Sequence, residues 1–142
     1  MSFEDAVASS EKNPKKLFID IYTDWCGWCK KMDKSTFSDP AVAYYINENF
    51  YPVKLDAETK DTIRFREKVF VFEPQYKANT LAASLLGGKM GYPAYVILDE
   101  KFALATQPLQ GYMTTTQLMP TLRYYAENIY KEKTWEEFES GK

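Results

Sequence analysis

The chain has 142 residues, which is enough for one domain with its own hydrophobic core. Apolar residues make up 45% of the chain, which excludes a disordered protein, and the formal charge of −2 argues against a basic nucleic-acid surface. Two cysteines are too few for a disulfide framework, and no apolar run is long enough to span a bilayer. Histidine is absent, which removes the commonest metal ligand and acid-base side chain.

The first half of the chain predicts two strands connected by helices. Five segments follow in the order helix, strand, helix, helix, strand: residues 3–12, 16–23, 26–36, 40–49 and 50–58. Ser2 is a suitable N-cap for the first helix, and Asp39-Pro40 is a typical start for the third. Because helices connect the two strands, we expect these strands to lie parallel.

The second half begins with an irregular stretch, residues 57–77. Its alternation of apolar and polar residues around Arg66-Glu67 predicts a β-hairpin insertion around residues 62–73, which could extend the substrate surface, dock a redox partner or cap the sheet edge. A short helix, an antiparallel strand pair and a long helix should follow: residues 79–89, 93–100 with 102–112, and 115–129. Pro120 should fall near the first turn of the last helix. Without repeats or linkers, residues 1–142 predict a single α/β domain.

Both cysteines lie in "YTDWCGWCKKM", residues 22–32. A structural zinc site needs four ligands, and this chain supplies only two of the usual kind. A structural disulfide is also disfavoured, because the enclosed loop is very short. Two thiolates could hold Cu(I), but no methionine cluster surrounds the motif. A redox pair fits best.

The expected local structure explains how such a pair would work. A strand ending at Asp24-Trp25 and a helix starting near Cys26 would place Cys26, exposed, at a helix N-terminus, where free N–H groups and the helix dipole favour its thiolate. Cys29 would lie one turn later, sheltered and close enough to attack a mixed disulfide formed at Cys26.

The motif resembles the active-site segment of the thioredoxin family, in which a buried strand carrying an Asp leads into Trp-Cys-Gly-Pro-Cys-Lys. The matching residues are Asp20, Trp25, Cys26, Gly27, Cys29 and Lys30. Downstream, Lys54 in "VKLDAE" matches a lysine near the buried Asp, "GYPAYVIL" is similar to the family's cis-proline loop at Pro93, and Gly111 matches a glycine of the substrate groove. The resemblance implies a thioredoxin fold, with a central mixed β-sheet flanked by helices.

The resemblance also implies roles for individual residues. Cys26 would be the attacking thiolate, Cys29 the resolving thiol, and Asp20 the buried carboxylate that exchanges a proton with Cys29. Burial would raise the pKa of Asp20, and nearby Lys54 would oppose that rise. The expected substrate-contacting residues are Trp25, Gly27, Trp28, Tyr92, Pro93, Gly111 and Tyr112.

Within that set, four aromatic side chains are expected to form an apron around the sulfurs, unless some of them pack in the core: Trp25, Trp28, Tyr92 and Tyr112. The Tyr92–Pro93 bond is expected to be cis, with the Tyr92 backbone offered to an incoming peptide. Trp28 departs from the family pattern, because it replaces a proline that influences thiolate pKa and reduction potential.

The sequence therefore predicts a thiol-disulfide oxidoreductase for protein disulfides, with reduction favoured over isomerisation or oxidation. The alternative is a thioredoxin-fold binding or chaperone module with little turnover. We expect no cofactor, no nucleic acid, a monomer, and partners that carry disulfides or dithiols. No signal peptide follows Met1, so the protein would be cytoplasmic if the chain is complete and exported if a leader has been removed. Its motif is most similar to that of thiol-disulfide interchange proteins, which favours export.

Overall fold

The computed structural model describes residues 1–141, and its main elements follow the predicted order. The elements are α1 (Phe3–Lys12), β1 (Lys16–Tyr22), α2 (Gly27–Lys34), α3 (Pro40–Asn49), β2 (Phe50–Asp56), β3 (Ile63–Phe65), β4 (Lys68–Phe70), β5 (Phe72–Glu73), β6 (Ala78–Asn79), α4 (Thr80–Leu85), β7 (Ala94–Leu98), β8 (Leu109–Gln110), α5 (Thr115–Ala126), a 3₁₀ turn (Ile129–Lys131) and α6 (Trp135–Glu139). The predicted caps are present: Ser2 accepts from the Asp5 N–H, and Asp39 accepts from two N–H groups of α3.

A four-stranded sheet in the order β2-β1-β7-β8 lies at the centre. β1 is parallel to β2, pairing Ile19 with Val53, and antiparallel to β7, pairing Ile19 with Val96. The predicted mixed sheet and the parallel pair are therefore confirmed. β1 is fully paired on both sides, and its C-terminal end leads directly into the segment that carries the cysteines.

The two faces of the sheet carry separate apolar clusters. Leu17, Ile19 and Ile21 of β1 point to one face, which is covered by α1 and α4. Phe18 and the residues in step with it point to the other face, which is covered by α2, α3 and α5. Because side chains alternate along a strand, Asp20 points to the same face as Phe18, which is the face covered by α2.

The predicted insertion is present as a hairpin. β3 and β4 pair antiparallel, with Ile63 opposite Phe70 and the turn at Arg66, whose φ is 57°. Its Phe65 ring packs edge-on against Phe3 of α1, with ring centroids 5.6 Å apart. A second short pair, β5 with β6, was not predicted. The observed contacts of the insertion are with α1, and its three proposed roles stay predictions.

Three predictions about the C-terminal half are wrong in part. Residues 102–112 do not form one strand, because Phe102 has a φ of 66° and only a bridge at Leu104 and the two residues of β8 pair with β7. The last helix ends at Ala126 rather than Ile129, because Asn128 adopts a left-handed φ of 60°. Pro120 lies in the second turn of α5, not near the first.

None of the helices within residues 1–141 combines the length and the apolar composition that crossing a bilayer requires.

A buried hydrogen bond connects the end of α2 to the loop after β8. Thr36 is 1% exposed, and its hydroxyl donates to the Met113 carbonyl at 2.6 Å. Thr23, just after β1, is equally buried, but its hydroxyl has no hydrogen-bond partner among the described residues. The two threonines therefore form a matched pair for testing what this bond contributes.

Replacing Thr36 with Val should lower the free energy of unfolding by about 1–2 kcal/mol, because the Met113 carbonyl loses its buried donor. Thr23→Val removes a buried hydroxyl that makes no hydrogen bond within residues 1–141, so the substitution should be neutral or slightly stabilising. Urea denaturation of both variants measures the difference. Equal destabilisation by the two substitutions would show that the bond to Met113 contributes nothing.

Candidate active site

The cysteine pair lies at the N-terminal end of α2, as predicted. Cys26 is the N-cap residue, and its Sγ accepts a hydrogen bond from the Cys29 backbone N–H at 3.1 Å. The two residues form a disulfide, with Cα atoms 5.3 Å apart. An N–H donor and the positive end of the helix both face Cys26 Sγ, which is the environment that stabilises a thiolate there.

The two cysteines are not distinguished by exposure. Each is 5% exposed, so Cys29 is sheltered as expected, whereas the expectation that Cys26 is exposed is wrong for the disulfide form. The neighbouring Trp25 and Trp28 are instead 67% and 57% exposed. The large side chains on either side of Cys26 thus form the outer surface, and the sulfurs lie beneath it.

Four aromatic side chains form two pairs around the motif, which we call the aromatic rim: Trp25 with Tyr92, and Trp28 with Tyr112. The ring centroids are 5.9 Å apart in the first pair and 5.6 Å in the second. Neither tryptophan packs in the core, and the two tyrosines are half-buried. The predicted apron is therefore present.

Polar partners fix both ends of the aromatic rim. The Trp25 indole N–H donates to Glu58 Oε1 at 3.0 Å. Lys31 Nζ lies 4.9 Å from the Trp28 ring centroid and 5.2 Å from that of Tyr112, within the range of cation–π attraction. Glu58 and Lys31 were not predicted as site residues, because nothing in the local sequence indicates these contacts.

The loop opposite α2 carries the predicted proline. The Tyr92–Pro93 peptide bond is cis, and the Pro93 carbonyl accepts from the Gly111 N–H at 2.8 Å. Gly111 has a φ of 96°, a backbone conformation that residues other than glycine rarely adopt. At Gly27, a Cβ would meet nothing within 4 Å, so this backbone is open to an approaching partner.

A buried carboxylate lies under α2. Asp20 is 7% exposed and lies opposite Lys54 in the β1–β2 register, with 3.8 Å between Lys54 Nζ and Asp20 Oδ2. Burial raises the pKa of Asp20 to about 7, with Lys54 opposing the rise and the Asp33 carboxylate adding to it. The direction of this shift and the opposing effect of Lys54 agree with the sequence prediction.

Asp33 is a further site residue that the sequence analysis did not identify, besides Glu58 and Lys31. Its Oδ2 accepts from Lys54 Nζ at 2.6 Å, so Lys54 bridges two carboxylates. Burial disfavours the charged ammonium, but the bond to Asp33 and the charge of Asp20 outweigh this and raise the pKa of Lys54. Asp33 lies four residues after Cys29, on the same face of a helix, and that spacing was the available signal.

The position of Asp33 also orients α2. Because its carboxylate reaches Lys54, the face of α2 that carries Cys29 is turned toward Asp20. A cleft of about 190 Å³ between β2, α2 and α3 reaches Asp20, and Asp33 and Lys54 line it. The described residues contain no cluster of three Cys, Asp or Glu side chains placed to hold a metal ion. The chemistry available to the site is thiol chemistry coupled to a buried acid.

Comparisons with known proteins agree with this geometry. Residues 2–133 match the model of the Thioredox_DsbH family, which is described as a protein of unknown function, DUF255. A segment of 43 residues, 30% of the chain, is 42% identical to the thiol:disulfide interchange protein DsbD of Pectobacterium atrosepticum. That segment is 8% of the relative's length, and a Caenorhabditis elegans relative is matched over 11% of its own length, so the chain corresponds to a small part of these proteins.

Solved structures establish the fold. A thioredoxin-fold protein from Helicobacter pylori superposes with a TM-score of 0.66 at 16% identity, covering 96% of this chain and 91% of that one. A DsbH oxidoreductase gives 0.63 at 16% identity, covering 89% and 83%. The chain has the thioredoxin-like fold of DsbD- and DsbH-type disulfide oxidoreductases, with a Cys-x-x-Cys disulfide at the expected place, and it belongs to the Thioredox_DsbH family.

Proposed function

We propose that the protein is a thiol-disulfide oxidoreductase that reduces disulfides in other proteins through Cys26 and Cys29. The observation that carries this proposal is the hydrogen bond from the Cys29 N–H to Cys26 Sγ at the start of α2. A thiolate formed at Cys26 keeps this donor and the positive end of the helix. The 42% identity with an interchange protein over 43 residues supports the same chemistry.

The reaction proceeds in two exchanges. The Cys26 thiolate attacks one sulfur of the substrate disulfide, so that a Cys26–substrate bond forms, the substrate bond breaks and one substrate thiolate leaves. Cys29 then loses its proton and attacks Cys26 Sγ, which forms the Cys26–Cys29 disulfide and releases the second substrate thiolate. Both leaving thiolates take up protons. The dithiol supplies the two electrons, so the step needs no cofactor.

Asp20 is the proposed acceptor of the Cys29 proton, directly or through water in the cleft between α2, α3 and β2. A base is most useful when its pKa lies near the working pH, and burial brings the pKa of Asp20 to about 7. Lys54 is assigned the role of limiting that rise. Asp20 and Lys54 thus control the second exchange, whereas the N-terminus of α2 controls the first.

The substrate lies across the aromatic rim in this proposal. Trp25, Trp28, Tyr92 and Tyr112 contribute apolar surface, and the backbones at Gly27 and Tyr92 are open to polypeptide hydrogen bonds. The Gly111 N–H and the Pro93 carbonyl are bonded to each other and shape the surface beside them. The partners are proteins that carry disulfides or dithiols. The likeness to interchange proteins favours an exported protein over a cytoplasmic one.

Single-cysteine variants test the two-step exchange. With dithiothreitol as electron donor, the wild type should accelerate the reduction of insulin. Cys26→Ser should reduce the rate to the uncatalysed background, because no attacking thiolate remains. Cys29→Ser should form a mixed disulfide and then stall, because the resolving thiol is missing. If the wild type itself shows no dithiol-dependent activity, the protein is a binding module instead.

Asp20→Asn tests the buried base. Because Asp20 titrates near 7 in the folded protein and near 4 in an unfolded chain, its ionisation destabilises the fold progressively between those values. The variant should therefore match the wild type below pH 4 and become more stable by about 4 kcal/mol above pH 7. Urea denaturation of the disulfide form measures this. A stability difference that does not change with pH would contradict the raised pKa.

The same variant should slow the second exchange. In the wild type, release of substrate from the mixed disulfide should accelerate as the pH rises through 7, because the carboxylate form of Asp20 is the base. Asp20→Asn should lose this rise and be slower at pH 8 by about 100-fold. Stopped-flow measurement of the two exchanges separates this effect from the first step, which should change little.

Asp33→Asn tests the influence of the second carboxylate. Asp33 raises the pKa of Asp20, and it also occupies Lys54, whose charge lowers that pKa. Removing the Asp33 charge ends its repulsion of the Asp20 carboxylate and leaves Lys54 free to interact with Asp20. Both effects lower the pKa of Asp20, which should fall by about 0.5–1 unit. Carbon NMR of the Asp20 carboxyl measures the shift. Asp24→Asn, which removes an exposed carboxylate beside the motif, is the control and should leave the value unchanged, and a rise in Asp33→Asn would refute the assignment.

A further inference from the structure

A groove of about 730 Å³ lies beside the aromatic rim, between β8, the first half of α5 and α6. We call it the C-terminal groove. The lining residues on which the argument depends are Gln110, Tyr112, Pro120, Trp135, Phe138 and Glu139. Its volume lies in the range of ligand-binding sites, and its surface mixes apolar side chains with uncharged polar ones. The two-step exchange described above makes no use of it.

Two contacts make the groove continuous with the redox site. Tyr112 lines the groove and also packs against Trp28, with ring centroids 5.6 Å apart. Gln110 lines it as well, and its side-chain amide donates to the Lys89 carbonyl at 2.6 Å in the loop that leads to Pro93. A polypeptide bound across the cysteines would therefore reach the C-terminal groove directly, along Tyr112 or along Gln110.

The wall formed by β8 offers backbone hydrogen bonds. β8 stands at the edge of the sheet, with β7 on its inner side. Edge strands carry unpaired N–H and C=O groups, which can pair with an added extended segment. This wall therefore favours an extended polypeptide over a compact small molecule.

The opposite wall is aromatic and fixed in place. Trp135 and Phe138 of α6 pack on the Tyr124 ring, with centroids 5.2 and 5.3 Å away. Tyr124 is in turn held by a hydrogen bond from its hydroxyl to the Lys133 carbonyl at 2.6 Å. α6 (Trp135–Glu139) lies beyond residues 2–133, the part that matches the family model.

The charge of the groove is confined to one place. Among the described residues that line it, Glu139 on α6 is the only charged one. An apolar segment with a basic side chain at the α6 end would bury apolar surface against Trp135, Phe138 and Pro120 and pair its charge with Glu139.

We propose that the C-terminal groove binds an extended segment of the substrate protein next to its reacting cysteine, apolar along its length and basic where it meets Glu139. This assignment rests on the proposed oxidoreductase function. It makes the groove a specificity site, separate from the sulfur chemistry. Substrates that lack the segment still react at Cys26, but with weaker binding.

Synthetic peptides, each carrying its cysteine as a mixed disulfide with thionitrobenzoate, test the specificity. A cysteine tripeptide is the reference, and the extended peptides add an apolar segment ending in Lys or Glu, on the N-terminal side of the cysteine in one set and on the C-terminal side in the other. In single turnovers of the dithiol form, which need no added reductant, the Lys-ended peptide of one of the two sets should have a half-saturating concentration (KM) about 10-fold below that of the tripeptide, with the saturating rate unchanged. If both sets stay within twofold of the tripeptide, the assignment is overturned.

Two variants locate the effect. Glu139→Lys should reverse the preference between the Lys-ended and Glu-ended peptides, and Thr116→Arg, which fills the groove from an exposed position on α5, should bring the KM of extended peptides to that of the tripeptide. Tyr44→Arg, on the exposed face of α3, is the control and should change neither. Unchanged preference in Glu139→Lys would contradict the proposal.

Binding without turnover keeps this test independent of the proposed chemistry. Extended peptides with Ser in place of Cys should bind the disulfide form of the wild type, detected by calorimetry, and Thr116→Arg should abolish that binding. Failure of the tripeptide to react would overturn the oxidoreductase function alone. Absence of peptide binding to a protein that reduces the tripeptide would overturn the groove alone.

Discussion

The buried carboxylate of Asp20 is the constraint on which the site depends. A charged group on the central strand of a packed sheet is costly, and the protein compensates with Lys54 directly across the β1–β2 pair and leaves a cleft that reaches the acid. The compensation is incomplete, so burial still raises the pKa of Asp20 to about 7. Asp20 can therefore exchange a proton near neutral pH, which is what the proposed mechanism requires of the group that accepts the proton of Cys29.

The same strand sets the position of the cysteines. β1 is paired on both sides, so the point where it ends is fixed, and α2 begins at Gly27, five residues after the last residue of β1, with Cys26 as its cap. Lys54 then fixes the rotation of α2 through Asp33. In the proposed mechanism, the N-terminus of α2 activates Cys26 and the buried acid receives the proton of Cys29. A single strand–helix junction would then serve both exchanges.

The interactions that the sequence predicted are those encoded locally. The apolar run of β1, the caps at Ser2 and Asp39 and the helix start at Cys26 each depend on a few neighbouring residues, and all are present. Asp33 escaped prediction because its role depends on meeting Lys54 from a distant strand. The end of α5 at Asn128 and the broken strand after Phe102 depend on left-handed backbone that composition does not indicate. The low exposure of Cys26 likewise arises from how the chain packs around the motif.

The reduction potential of the Cys26–Cys29 couple tests the central claim most directly. Equilibration of the protein with defined mixtures of reduced and oxidised glutathione, followed by mass spectrometry after thiol alkylation, gives this value. A protein-disulfide reductase should have a potential near −270 mV, because its dithiol must give electrons to most protein disulfides. A potential near −120 mV would mark an oxidant and would contradict the proposed direction.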